Sequence, residues 1–199
     1  MLSFLYAWLT LNQGTPPSGR AIVAAMHDRY VGKWYRTLTF VQRNTATAPD
    51  GVTEHSTWLE YAAIPGRLRI EFQPRDSGGG VLFVRDSQDL ATVHEDTWEG
   101  RSVYIVGAAS GDRHRRQFWV DKERLVFVRL LEPAQRDTTR TSDIRFNDYR
   151  PAGDAWLSAE VAFLVDGKQR WLEQYTEIQT GTALPDSLFD PRRWAPRKD

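Results

Sequence analysis

Two arginines within otherwise apolar segments are the first candidates for chemistry in this chain. In the segment KWYRTLTFVQR, alternate positions fall on one face of a predicted strand, and these positions are Trp34, Arg36, Leu38 and Phe40. In the segment LVFVRLLE, the same alternation places Arg129 between Phe127 and Leu131. An unpaired charge on a buried face costs several kcal/mol. Each guanidinium therefore requires either a carboxylate partner or a polar group of a ligand.

Three glutamates lie among apolar residues in the same way and are the candidate partners of these arginines: Glu60, Glu160 and Glu173. Glu173, for example, alternates with Trp171 and Tyr175. Two interpretations remain open. Arg36 and Arg129 either form ion pairs with these glutamates or contact a carbonyl or phosphate group of a ligand. In both cases the inner surface of the predicted sheet is amphipathic rather than wholly apolar.

Residue types that serve catalysis and metal binding are sparse and scattered. There is no cysteine, and the four histidines are His27, His55, His94 and His114. No H-E-x-x-H zinc motif, G-x-S-x-G nucleophile motif or phosphate-binding loop occurs. His94 and Asp96 share a predicted strand face, which would suit a metal site or, with Glu173, an acid–base pair, but such pairs are more often surface residues. We therefore expect no enzymatic activity, no catalytic residues, no metal and no cofactor.

The charge of the chain gives little indication of a partner. Lysines plus arginines equal aspartates plus glutamates at 26 each, which argues against the strong positive field typical of nucleic-acid-binding proteins. The segment GDRHRRQ nevertheless gathers Arg113, Arg115 and Arg116 at one predicted hairpin tip. This tip would suit anionic head groups or an acidic envelope protein, although turns are commonly charged merely because they are solvated.

A short helix is predicted near the N-terminus. Ser18 is suited to cap it, apolar residues such as Ile22 and Met26 recur at helical spacing, and Gly32 can end it. The preceding residues 1–18 contain an apolar run, LSFLYAWLTL, and a linker. The run is about as long as a signal-peptide core and shorter than the roughly 20 residues that span a bilayer, which favours export. No basic residue precedes it and no A-x-A site follows it, so a helix or strand packed on the domain is the alternative.

The rest of the chain has the pattern of an antiparallel sheet. From residue 33 onward, short alternating or aliphatic segments are separated by turn signals such as Asp166-Gly167, and together they predict about ten strands, including one at 81–85. The short connections predict that strands adjacent in sequence are adjacent in the sheet. The fold class is therefore mainly β with one helix (α+β), and the length suits a single domain.

Five segments occur in an order shared with a known superfamily. They are TFVQ, IPGRLRIEF, FWVDKERLVFVRL, AWLSAEVAFLVDGKQRWLEQYTEIQ and ALPDSLFDP. In this order they resemble the LolA/LolB-like superfamily of bacterial envelope proteins, also described as outer-membrane lipoprotein-sorting proteins. The resemblance covers residues 21–191. In the lipoprotein carrier a basic residue directly precedes the proline of IPG, whereas Ile64 stands there in this chain, so the carrier's gating contact is not carried over.

The resemblance implies a particular architecture and division of the chain. The sheet would be strongly curved and form an unclosed barrel, with the N-terminal helix covering its concave face. Residues 1–18 would be a candidate signal peptide and linker, residues 19–191 a single half-barrel domain, and residues 192–199 a basic tail. The location implied is periplasmic or otherwise extracytoplasmic.

The function implied by the resemblance is non-catalytic. Such a protein would take a lipid, or the acyl chains of a lipid-modified protein, into an apolar cavity on the concave face. The expected ligand-binding residues are Trp34, Arg36, Leu38, Phe40, Leu68, Ile70, Phe72, Phe127, Arg129 and Leu131. The alternative is a protein-interaction or envelope-stress-sensing domain in which those apolar residues fill an ordinary core. A cavity of several hundred cubic ångströms would favour the carrier.

Overall fold

The computed structural model describes residues 15–64, 66–74 and 89–193. These residues form one α-helix, ten β-strands and two short 3-10 helices. The helix α1 spans Gly19–Tyr30, and the strands are β1 (Thr37–Thr47), β2 (Thr53–Ala63), β3 (Arg67–Gln73), β4 (Val93–Trp98), β5 (Arg101–Val106), β6 (Gln117–Asp121), β7 (Phe127–Ala134), β8 (Asp137–Ala152), β9 (Ala155–Val165) and β10 (Lys168–Thr180). The 3-10 helices are Asp186–Phe189 and Pro191–Arg193. The N-terminal apolar run and the predicted strand at 81–85 lie outside the described residues.

The ten strands form one antiparallel sheet in the order β3-β2-β1-β10-β9-β8-β7-β6-β5-β4. Strands adjacent in sequence pair with one another, as predicted, except for β3 and β4, which lie at opposite edges. The pairing of β1 with β10 brings the first and last strands together and separates β3 from β4. The sheet is an unclosed barrel, mostly β with a single helix, which confirms the predicted fold class.

The helix lies where the sequence predicts it. The Ser18 hydroxyl accepts a hydrogen bond from the backbone N–H of Ala21 at 3.3 Å, which satisfies one of the free N–H groups at the helix start. Ile22 and Met26 pack on Val106 of β5 and Phe118 of β6, so α1 covers one face of the β4–β7 part of the sheet. This is the concave face. Within the described ranges, no helix is long and apolar enough to span a membrane.

The opposite face carries a second core, which also includes Tyr30 at the end of α1. Because side chains alternate along a strand, Val103 and Ile105 of β5 and Trp119 of β6 point away from α1. They pack with Leu131 of β7 in a buried cluster, and Trp98 of β4 meets Trp119 edge to face with ring centroids 5.4 Å apart. The molecule therefore buries apolar side chains on both faces of its sheet, and large aromatic residues contribute to each.

The first strand begins later than the alternation of KWYRTLTFVQR predicts. The predicted start was Trp34, whereas β1 begins at Thr37. Gly32, with φ of 74°, follows the helix, and the chain turns before it enters the sheet. Trp34 and Arg36 therefore lie outside the strand, and both are exposed. Leu38 and Phe40 do lie in β1, so only half of the predicted face exists.

Candidate functional site

An apolar cavity of about 590 Å³ lies under the C-terminal half of α1. The helix supplies Val23, Met26 and Tyr30, and the sheet supplies Phe118 of β6 and Phe127 of β7. The helix also supplies His27, and further lining residues come from the segment after α1, the β6–β7 turn and the neighbouring strands, namely Val31, Gly32, Trp34, Leu125, Val126, Tyr149 and Trp156. The volume falls within the range of roughly 300 to 1,000 Å³ that small-molecule sites occupy.

The polar atoms of the two lining tyrosines face the backbone. The Tyr30 hydroxyl donates to the carbonyl of Arg124, and the Tyr149 hydroxyl donates to the carbonyl of Phe127. Burial raises the pKa of Tyr149 above its ordinary value, so this hydroxyl stays protonated at physiological pH. Both rings therefore present hydrocarbon to the cavity, while their oxygens fix the turn between β6 and β7.

The β6–β7 turn is shaped by a single buried carboxylate. Asp121, 3% exposed, accepts hydrogen bonds from the backbone N–H groups of Glu123 and Arg124 at 3.0 and 2.8 Å. Leu125 then takes a left-handed conformation with φ of 54°, which is uncommon for a residue other than glycine. This turn carries Leu125 and Val126 into the cavity wall. It is the part of the site that no alternation pattern indicates, since its conformation depends on the Asp121 side chain.

The mouth of the cavity is apolar and open to solvent. Val23, Val31 and Trp34 are 41%, 59% and 47% exposed, and all three line the cavity. Trp34 also meets the Tyr30 ring edge to face at 6.4 Å between centroids. Exposed apolar residues that cluster at one opening are typical of a ligand or protein contact, whereas single ones scattered over a surface need no explanation.

The expected ligand-binding residues fall into three groups. Trp34 and Phe127 line the cavity. On the same face of the sheet, but on β1 and β3 beyond the helix, lie Leu38, Phe40, Leu68, Ile70 and Phe72. On the opposite face lie Arg129 and Leu131, and Arg36 precedes the sheet altogether. The predicted set therefore does not converge on one place, whereas Met26 and Tyr30 of α1, which were not among the expected ligand-binding residues, do line the cavity.

Arg129 is held in an internal ion pair. Its Nε and Nη2 atoms donate to the two carboxylate oxygens of Asp143, each at 2.7 Å. The guanidinium also lies over the rings of Trp98 and Trp119, at 4.0 and 4.5 Å from their centroids. Burial acts to raise the pKa of Asp143, but hydrogen bonds from Arg129 and Arg145 hold it below its ordinary value.

The predicted ion-pair partners were wrong. Asp143, not Glu60, Glu160 or Glu173, binds Arg129, because β8 lies beside β7 in the sheet and Arg129 points to its outer face. Arg36 forms no ion pair with any described residue, since it is exposed beyond the end of the sheet. The alternation in the sequence predicted that both arginines lie on an apolar face, but only Arg129 is buried, and Arg36 is exposed to solvent.

Two of the glutamates instead lie on the concave face among aromatic residues. Glu173 accepts hydrogen bonds from the Trp171 indole at 3.0 Å and the Tyr175 hydroxyl at 2.6 Å, which confirms that the three side chains share a face. Burial raises the pKa of Glu173. Burial, together with the negative charge of Glu173, raises the pKa of Glu60 to about 7. This face is therefore amphipathic, although its charges are acidic and not basic.

The arginines of the predicted hairpin tip are ion-paired. Arg113 lies 3.6 Å from Asp96, Arg115 lies 3.0 Å from Asp89, and Arg116 lies 3.4 Å from Glu132. In the same region, Nδ1 of His94 lies 3.0 Å from the carbonyl oxygen of Ala108. No group of three or more metal-ligating side chains occurs among the residues that the structure describes.

Three solved structures share this architecture. A domain from Vibrio parahaemolyticus assigned to outer membrane lipoprotein sorting aligns with a TM-score of 0.65 and 12% identity, over 88% of this chain and 97% of that one. A LolA superfamily protein from Nitrosomonas europaea aligns with a TM-score of 0.59 and 10% identity, over 90% and 100% of the two chains. A DUF1329 family protein from Desulfovibrio piger aligns with a TM-score of 0.60 and 11% identity, over 87% and 96%.

No protein-family model matches the chain, and no curated protein matches it. The likeness to the solved structures, at these low identities, establishes the fold. The resemblance to the LolA-like superfamily that the order of sequence segments indicates is confirmed at that level.

Proposed function

We propose that this protein is a non-catalytic, extracytoplasmic carrier that takes an acyl chain, from a lipid or from a lipid-modified protein, into the cavity under α1. The observation that carries the proposal is the cavity itself, about 590 Å³ in volume, with the exposed Val23, Val31 and Trp34 at its mouth. A void of this size is what separates a carrier from a domain with a filled core. One of the similar structures is assigned to lipoprotein sorting, which supports the same ligand class.

The physical basis of binding is burial of hydrocarbon. Each methylene group that moves from water into an apolar site contributes about 0.8 kcal/mol. The Tyr30 and Tyr149 hydroxyls are already bonded to backbone carbonyls, so an incoming chain displaces no hydrogen bond of theirs. A chain of medium length therefore has enough hydrocarbon to bind in the micromolar range after the cost of immobilisation.

Binding of N-phenylnaphthylamine, a neutral fluorescent probe for apolar sites, and its displacement by dodecanol test the proposal. We expect displaceable binding by the natural chain and at least about tenfold weaker binding after Val31→Glu, because a carboxylate at the mouth must be desolvated when a ligand enters. Val52→Glu is the matched control, since Val31 and Val52 are both 59% exposed but Val52 lies in the β1–β2 turn.

Two results would contradict the carrier. The first is an absence of displaceable probe binding together with an absence of co-purifying lipid when protein made in a membrane-containing host is extracted. The second is equal weakening by Val31→Glu and Val52→Glu, which would place the probe elsewhere. In the first case the apolar mouth would instead favour the protein-interaction alternative, with Trp34 at its centre.

A further inference from the structure

A second group of residues lies on the concave face, on the three adjacent strands β2, β1 and β10. Glu60 of β2 lies opposite Phe40 of β1, and Glu173 of β10 lies opposite Asn44 of β1. Gln42 of β1 lies between them and bonds both to Asn44, at 2.7 Å, and to Glu173. The pairing of β1 with β2 on one side and with β10 on the other therefore brings two carboxyl groups and two amides onto one part of the concave face.

Aromatic rings surround these carboxyl groups. The ring centroid of Trp58 lies 4.9 Å from the centroid of Phe72 and 5.8 Å from the centroid of Trp171. The ring centroids of Phe40 and Tyr175 are 4.6 Å apart. All five residues alternate with outward-facing neighbours and share the face of Glu60 and Glu173. Aromatic faces carry partial negative charge, so the rings and the carboxylates both favour a cation.

Two polar groups in this cluster lack a partner. Glu60 is 6% exposed, and no described residue donates a hydrogen bond or forms an ion pair with its carboxyl group. Asn44 is 2% exposed, and its Nδ2 atom has no hydrogen-bond partner. Buried polar groups are satisfied in the great majority of cases. The Glu60 carboxylate accepts hydrogen bonds and therefore calls for a donor or a cation, whereas the Asn44 N–H calls for an acceptor and does not itself bind a cation.

The neighbouring arginines do not neutralise the carboxyl groups. Arg43 of β1 and Arg67 and Arg69 of β3 occupy the alternate positions and therefore lie on the other face of the sheet. Arg69 binds Glu71 there at 2.6 Å. The described part of these strands thus presents the buried Glu60 and the partly buried Glu173 to the concave face, with the exposed Glu54 and Lys168 on the same face at the starts of β2 and β10.

We propose that Glu60 and Glu173, with the rings of Trp58, Trp171 and Tyr175, form a binding subsite for an organic ammonium group, either a primary amine or a quaternary ammonium ion. A cation at this place would pair with the carboxylates and lie against the ring faces. It would also remove the repulsion that contributes to the raised pKa of Glu60.

The subsite also fits the proposed carrier function. The idea that one ligand occupies both the cavity and the subsite rests on that function. Phe127 in the cavity wall contacts Phe146 at 5.5 Å between ring centroids, Phe146 lies opposite Val161, and Val161 lies opposite Glu173. Three strand spacings separate β7 from β10, which is roughly 14 Å along the concave surface. One amphiphile could therefore place its acyl chain in the cavity and an ammonium head group at the carboxylates.

Calorimetric titration with three ligands, at about pH 8, above the pKa of about 7 of Glu60, tests the subsite. The ligands are tetramethylammonium, dodecyltrimethylammonium and the neutral dodecyl maltoside, with the amphiphiles kept below their micelle concentrations. We expect the Glu60→Gln/Glu173→Gln double variant to bind both ammonium ligands about tenfold more weakly and the maltoside unchanged. Glu160→Gln is the matched control, because Glu160 lies on the opposite face and bonds Asn147 and Gln174.

The results separate this subsite from the carrier function. If tetramethylammonium binding depends on the two glutamates while neither amphiphile displaces N-phenylnaphthylamine, the subsite stands as a site for a free amine and the carrier proposal fails. If the amphiphiles displace the probe but both ammonium ligands bind the double variant and the Glu160→Gln control equally, the subsite is overturned and the carrier remains. If the double variant does not fold, the Glu60→Gln single variant is compared with the Glu160→Gln control in the same way.

Discussion

At the scale of single residues, Arg129 and Arg36 show how one sequence pattern has two structural outcomes. Each arginine interrupts an apolar run, yet Arg129 is buried with Asp143 between two tryptophan rings, while Arg36 is exposed before β1 begins. The buried guanidinium has its charge and two of its N–H groups satisfied by one carboxylate. Its removal would leave Asp143 with Arg145 as its remaining basic partner.

We predict that Arg129→Met lowers the free energy of unfolding by about 3 kcal/mol, because a buried carboxylate loses its bidentate partner. Arg36→Met is the matched control and is expected to change it by less than about 0.5 kcal/mol, since an exposed arginine outside the sheet loses no ion pair. Urea denaturation of both variants measures the difference. Equal effects of the two substitutions would show that the Asp143 pair does not stabilise the protein.

Glu60 is the residue at which stability is predicted to depend on pH. Its folded pKa of about 7 lies above the ordinary value of 4.5, so the folded state binds a proton more tightly than the unfolded state does. The stability associated with the neutral carboxyl group is complete below about pH 4.5 and is lost as pH rises through about 7. Glu173 is the titratable group that acts on the pKa of Glu60, and the raised pKa of Glu173 itself gives a pH dependence in the same direction.

We therefore predict that Glu60→Gln removes a decrease in stability, on the order of 2 kcal/mol, that the natural chain shows between about pH 5 and pH 8. Chemical denaturation at several pH values provides the measurement, with Glu160→Gln again as the control. A natural chain whose stability rises over this range, or a Glu60→Gln variant with the same pH profile, would exclude a buried, unpaired Glu60 carboxylate.

At the scale of elements, the position of α1 depends on its first residue. Gly19 donates its N–H to the carbonyl of Leu90 at 3.2 Å, so the helix start lies directly against the segment before β4. A Cβ atom at this position would lie 2.7 Å from the Leu90 carbonyl oxygen and 2.7 Å from Cγ1 of Val106. The close approach of the helix to the sheet therefore requires glycine here for reasons of space.

We predict that Gly19→Ala displaces the start of α1, lowers the unfolding free energy by about 2 kcal/mol and weakens probe binding in the cavity, because α1 supplies Met26 and Tyr30 to its wall. Ala24→Ser, on the exposed side of the same helix, is the control and should leave both unchanged. Thermal unfolding and N-phenylnaphthylamine titration are the measurements. A Gly19→Ala variant with natural stability would mean that the helix is not held this closely to Leu90.

At the scale of the whole molecule, the sheet has a centre and two edges. In the described residues, β3 and β4 each pair with one strand only, whereas β8 and β9 pair on both sides and are long, at 16 and 11 residues. Because no cysteine is present, no disulfide links the edges. Local stability should therefore decrease from the centre of the sheet towards both edges.

We predict that amide hydrogen exchange is slowest in β8 and β9 and faster in β3 and β4. Opening an edge strand breaks one set of inter-strand hydrogen bonds, whereas opening a central strand breaks two. Exchange followed by mass spectrometry of peptides from each strand measures the gradient. Uniform protection over all ten strands would show that the sheet opens only as one unit.

The sequence alone determined the class of elements and much of their order. The Ser18 cap and the Asp166-Gly167 turn are local features, and the structure places both where the sequence predicts them, with φ of 50° and 75° at the turn. The antiparallel strands are also present, although β1 starts later than its alternation predicts. The ordered segments also indicated the LolA-like fold. These features depend on propensity, capping and alternation, which act over a few neighbouring residues.

The tertiary structure alone decided which residues come together. The pairing of Arg129 with Asp143, the cavity under α1, and the meeting of Glu60 with Glu173 all depend on which strands lie side by side and on the face that each residue takes. Because β1 starts three residues later than the alternation predicts, Trp34 and Arg36 do not lie on the predicted strand face. The pairing of β1 with β10 brings residues more than a hundred positions apart in the sequence side by side. Alternation assigns a side chain to one of two faces, but only the sheet order determines its neighbours on that face.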